Sequence, residues 1–198
     1  MVGQSLPVQP PGRVGVNAAA AAAPAPAPTT AALVRNFLLF QMGWFACTML
    51  AARDRAGLAV LVVTVVVALH LVLSARPQRT ALVLLAVTLI GLVWDSVVMD
   101  TGAQRYATGL FLPGVAPAWI IAMWTLFGTL LGHSLRWLRG RPLLAAAFGL
   151  VGGPLAYAGG ARLGAVTLHD PLLAMVLDGV GWAALTPLLV RIEERLDG

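Results

Sequence analysis

Six apolar stretches, at residues 33–52, 57–75, 80–99, 117–138, 142–159 and 171–191, fill nearly all of this 198-residue chain. Each is roughly 18–22 residues long, the length a helix rising about 1.5 Å per residue needs to cross a hydrocarbon core about 30 Å thick. Backbone polar groups in lipid must be satisfied within the segment itself, so such stretches fold as helices. The expected fold is all-α: a polytopic membrane protein whose six transmembrane helices form one bundle at 32–198. Residues 1–31 differ in kind. Pro7, Pro10, Pro11, Pro24, Pro26 and Pro28 are interspersed with small and apolar residues, and Ala18 to Ala23 form a homopolymer. A segment with so few large apolar residues and no periodicity cannot offset the entropy of ordering, so a disordered, Pro/Ala-rich tail is expected there.

Only 11% of residues are charged, against about 25% in soluble domains. The basic excess is all arginine, and the arginines stand at the ends of the apolar stretches, where they meet lipid headgroups. Nucleic-acid binding is therefore not expected despite a pI near 11. If the N-terminus is cytoplasmic, that side collects Arg13, Arg35, Arg76, Arg79, Arg136, Arg139, Arg141, Arg191 and Arg195, and the other side Arg53, Arg55, Arg105 and Arg162. The bias of positive residues toward the cytoplasm then predicts that both termini lie there. The lone cysteine, Cys47, excludes a disulfide framework.

Polar side chains inside lipid are costly unless partnered, so they mark where function should be sought. The threading gathers them in the outer half of the bundle: Asp95 on the third helix, Tyr157 and Arg162 on the fifth, Asp178 on the sixth, Trp124 on the fourth, with Gln41 and Trp44 near the middle of the first. These seven form the candidate pocket. Arg162 is the expected counter-ion for either aspartate, and Asp178, four residues before Trp182, is placed to accept from its indole. Trp119 and Trp137 fit the interfacial belts. The alternative is an interhelical network that only holds the bundle together, each bond adding about 0.6 kcal/mol.

The fifth helix is built from small residues spaced by four: Ala145, Gly149 and Gly153, then Gly152, Ala156 and Gly160. Such spacing lets helices approach backbone to backbone. Pro154 after Gly152-Gly153 predicts a bend or break. His70 and His133 sit at equal depth on two helices, a spacing compatible with bis-imidazole haem ligation, but no supporting motif accompanies them. There is no HExxH, no paired-cysteine motif and no Ser/His/Asp signature, so no metal and no cofactor is assigned.

Asn36-Phe37 with Phe40-Gln41-Met42-Gly43-Trp44-Phe45, Pro117-Ala118-Trp119-Ile120 with Trp124, Gly152-Gly153-Pro154-Leu155-Ala156-Tyr157 with Arg162-Leu163-Gly164-Ala165-Val166, and Gly181-Trp182-Ala183 with Pro187 resemble a family of small bacterial inner-membrane proteins known only as a domain of unknown function. The resemblance covers about 33–191 and leaves out the tail. It implies a multi-pass protein of the bacterial inner membrane, with membrane lipid and a membrane protein as the partners to expect. Through neighbouring genes it also points to fatty-acid modification of the cyclopropane-synthase type. Three functions follow in order: a non-catalytic accessory in membrane-lipid modification or envelope stress, a small transporter or flippase using Asp95, Asp178 and Arg162, and an intramembrane enzyme acting on acyl chains.

Overall fold

The structure, a computed structural model, describes residues 28–197, and the expected tail lies outside them as far as residue 27. Six helices follow in order: α1 (Thr30–Ala51), α2 (Ala56–Val72), α3 (Pro77–Asp100), α4 (Ala118–Leu131), α5 (Pro142–Arg162) and α6 (Pro171–Asp197). Local chemistry sets their starts. The Ala32 N–H donates to the Thr29 hydroxyl at 3.3 Å ahead of α1, and the Leu173 N–H to the Asp170 carboxylate at 3.0 Å at α6, each satisfying a donor that the first turn leaves open. Pro77 and Pro142 open α3 and α5, where a missing N–H is harmless.

Four helices are long and apolar enough to cross a membrane, while α2 and α4 are shorter. The stretch expected as one helix at 117–138 is divided. α4 has only 14 residues, about 21 Å at 1.5 Å per residue, and a 3-10 turn at Arg136–Leu138 follows it. Gly132 closes α4, and the Leu135 N–H returns to the Leu130 carbonyl at 2.9 Å, which turns the chain aside.

The helix connections contain two short strands that the apolar pattern does not announce. β1 (Gln104–Tyr106), after α3, pairs antiparallel with β2 (Val166–Leu168), after α5, with Tyr106 opposite Val166. The pairing continues through Ala107 N–H to the Ala165 carbonyl at 3.1 Å and His169 N–H to the Ala103 carbonyl at 2.9 Å. These strands close one end of the bundle, the strand end. The other, where α1 begins, is the arginine end.

α5 packs on α6, α1 on α2 and α4, and α3 on α4 and α6. The outside of the bundle is apolar: Val65, Leu85, Val93, Leu143, Leu155 and Val180 are all exposed, as a surface in contact with lipid requires. The interior carries tryptophans laid against glycines. A Cβ on Gly91 would fall within the Trp124 indole, one on Gly181 within Trp94, and one on Gly153 within Trp182.

The break expected at Gly152-Gly153-Pro154 does not occur, and α5 runs unbroken through Pro154. Proline leaves one carbonyl without its helical donor, that of Leu150. This oxygen faces Gly179 of α6, where a Cβ would stand 3.4 Å away, so the glycine backbone closes over it. Gly149 and Gly153 lie directly on Trp182. Packing along this seam carries the helix unbroken past the proline.

Candidate functional site

Asp95 is fully buried on α3, one turn short of its end, and three donors from three other elements converge on it. Tyr106 of β1 and Tyr157 of α5 both donate to Oδ1, at 2.5 and 2.6 Å. Trp124 Nε1 of α4 donates to Oδ2. Gln104 Nε2 donates in turn to the Tyr106 hydroxyl at 3.2 Å. Burial, with the neighbouring Asp95 carboxyl second, pushes the Tyr106 phenol well above the ordinary tyrosine range, which keeps it a donor.

Asp178 of α6 is also fully buried, yet neither of its oxygens has a hydrogen-bond partner among the described residues. It lies close enough to Asp95, Tyr106 and Tyr157 for their charges to interact. The structure thus brings two carboxyls into one buried cluster with opposite settings, one with three donors and one with none among the described residues.

Of the seven residues expected in a pocket, Asp95, Tyr157, Trp124 and Asp178 meet in this cluster. Arg162 does not join it. It is exposed at the end of α5, and the ion pair found among the described residues is Arg139 with Glu193. The reason is geometric: Arg162 lies five residues past Tyr157, more than one turn further along, and there it reaches solvent. Neutral donors take the place of the expected counter-ion. The expected Asp178–Trp182 bond is likewise absent, and both groups lack a partner among the described residues. The Trp182 indole is drawn instead onto Trp124, stacked at 4.4 Å and 9°. Trp119, expected at an interface, is buried and donates to the Thr108 carbonyl at 3.0 Å. Trp137 is exposed, as expected.

Gln41 and Trp44 lie elsewhere, on the wall of a lateral groove between α1 and α5. One part, about 530 Å³, is lined by Phe40, Gln41, Trp44, Gly152, Ala156 and Trp182 among others. A smaller part, about 90 Å³, shares Phe40, Trp44, Ala156 and Trp182 and ends at Tyr157 and Trp124. The groove is almost wholly apolar, and its far end abuts the side chains that hold Asp95. The stacked Trp124–Trp182 pair, with Phe127 edge-on to Trp182 at 4.9 Å, separates the groove from the carboxyls.

Sequence reasoning passed over Tyr106 and Gln104 because they lie in a connection. The available signal was composition: the chain has two tyrosines, and both serve Asp95. His70 and His133 do meet, with rings 5.0 Å apart and edge to face. Rings in direct contact leave no space for a haem between them, so the pair does not fit that group.

The chain belongs to the family described as protein of unknown function (DUF2878), whose model matches residues 33–188. No curated protein and no solved structure matches the chain.

Proposed function

We propose that this family member is a non-catalytic accessory of membrane-lipid modification, multi-pass in a bacterial inner membrane, that holds one acyl chain of a membrane lipid in the groove between α1 and α5. The observation that carries this is the groove itself. It is apolar and about 530 Å³ in its larger part, and it opens between two helices whose outer faces, at Phe37 and Leu155, are exposed and apolar. A chain from the surrounding bilayer enters such a groove against a mostly apolar wall, on which Gln41 and Ser134 are the polar side chains. Its inner end meets Tyr157 and Trp124.

Gly152 provides the test. It lines the groove, and a Cβ there meets only Phe148, at 3.8 Å. Gly152→Leu therefore fills the groove without disturbing the α5–α6 seam. Native mass spectrometry of protein released from membranes in mild detergent should show a bound diacyl lipid on the wild type and several-fold less on Gly152→Leu, at unchanged thermal stability. Wild-type protein without lipid, or equal occupancy in the variant, would sink the reading. Lipid analysis of a deletion strain then tests the accessory role, with an altered acyl profile expected.

One observation favours a second reading, a transporter or flippase driven by protons or cations. An ionised Asp178 without donors would cost several kcal/mol unless a proton or cation joined it, and both its oxygens are unpartnered among the described residues. Asp178→Asn separates the readings: an accessory tolerates it, whereas a coupled transporter loses function while still accumulating in the membrane.

A further inference from the structure

We propose that the arginine end of the bundle contains a phosphate-binding site, separate from the groove and from the Asp95 cluster. A cavity of about 320 Å³ opens there, lined by Arg35 of α1, His70 of α2, Arg76 and Arg79 at the start of α3, and His133 and Arg136 after α4. The acid on its wall is Glu193. That carboxylate is held by both ends of the Arg139 guanidinium, through Nε at 2.8 Å and through Nη2. Arg35 and Arg136 have no ion pair with it among the described residues.

Arg35 and Arg136 carry the site. They come from different elements, and neither forms an ion pair among the described residues. Like charges brought to one cavity repel, the more so where they are shielded from water. A bound anion turns that repulsion into attraction. The planar guanidinium fork matches phosphate oxygens two at a time. Ser74 and Thr80, whose hydroxyls bond to each other at 2.7 Å, are on the same wall.

The lining residues lie within a turn or two of helix ends, the level at which headgroup phosphates sit, and basic pockets between helices at that level bind anionic headgroups. Phosphate is thus the ligand chemistry, from an anionic lipid or from a free phosphorylated solute.

The test uses the full chain in phosphatidylcholine nanodiscs, reading the thermal midpoint. One arm titrates inorganic phosphate against chloride at matched ionic strength. The other replaces part of the phosphatidylcholine with phosphatidic acid. A saturable rise in the first arm assigns a free phosphate, and a rise in the second alone assigns a lipid headgroup. Arg35→Gln with Arg136→Gln should weaken the response about tenfold or more. Arg191→Gln with Arg195→Gln, two exposed arginines at the same end but off the cavity wall, should leave it unchanged. If the first pair fails to accumulate, Arg35→Lys with Arg136→Lys keeps the charge and loses the fork, and should weaken the response part-way. No response of the wild type in either arm overturns the site, as does equal weakening by the control pair.

Discussion

Tyr106 and Tyr157 donate to the same oxygen of Asp95, one from a strand that caps the bundle and one from a helix inside it. The cap and the core are therefore joined through a single acceptor. Removing either phenol leaves Oδ1 with the other, while removing both leaves a buried oxygen bare. Tyr106→Phe and Tyr157→Phe should each lower stability by about 1 kcal/mol, and the double variant by more than the sum. Thermal unfolding of the four proteins in detergent checks this. Strict additivity would mean the two bonds do not share their acceptor.

Alkaline pH should loosen the cap. The Tyr106 phenol is held well above its usual range by burial and by Asp95. A group whose folded pKa exceeds its unfolded value contributes stability that is complete below the unfolded value, about 10 for tyrosine, and lost as pH rises past it. The midpoint of unfolding should fall above about pH 10 and fall less steeply in Tyr106→Phe. An identical slope in that variant would remove Tyr106 from the account.

Two glycines on neighbouring helices should respond oppositely to alanine. A Cβ on Gly91 enters the Trp124 indole, whereas one on Gly57 meets nothing within 4 Å. Gly57→Ala should be neutral or stabilise by up to about 1 kcal/mol through helix propensity. Gly91→Ala should destabilise by about 1–3 kcal/mol, and it should shift tryptophan fluorescence because the indole that holds Asp95 must move. Equal thermal midpoints for the two variants would contradict the packing.

Along the α5–α6 seam the obstacle is backbone. A Cβ on Gly149 collides with the Trp182 carbonyl, which cannot rotate away, while Gly152 has open space. Gly149→Ala should therefore reduce the amount of folded protein in the membrane, and Gly152→Ala should not. Comparable levels of both would show that the seam tolerates separation.

The nine-to-four split of arginines predicts both termini in the cytoplasm and an even number of crossings. Reporter fusions after Arg79 and after Gly198 should both read cytoplasmic. A periplasmic signal from either overturns that threading, and α4, with 14 residues, is the segment to suspect.

Composition and periodicity alone determined that this chain is a bundle of apolar helices, and they placed the helix starts close to where Thr29, Pro77, Pro142 and Asp170 set them. That information is local: an apolar run in lipid has one way to satisfy its backbone. The scarcity of buried charge also singled out Asp95, Tyr157 and Asp178, because each polar residue in such a run needs a reason. Tertiary structure decided everything that depends on which faces meet. It brought Tyr106 from a connection to Asp95 through strand pairing, left Arg162 outside, turned Trp182 from Asp178 onto Trp124, and kept α5 unbroken where Gly152-Gly153-Pro154 predicts a bend or break. It also left α1 and α5 apart, and so opened the groove. Each outcome rests on contacts between residues distant in sequence, such as Gly149 with Trp182 or Tyr106 with Val166, whose partners no local pattern names.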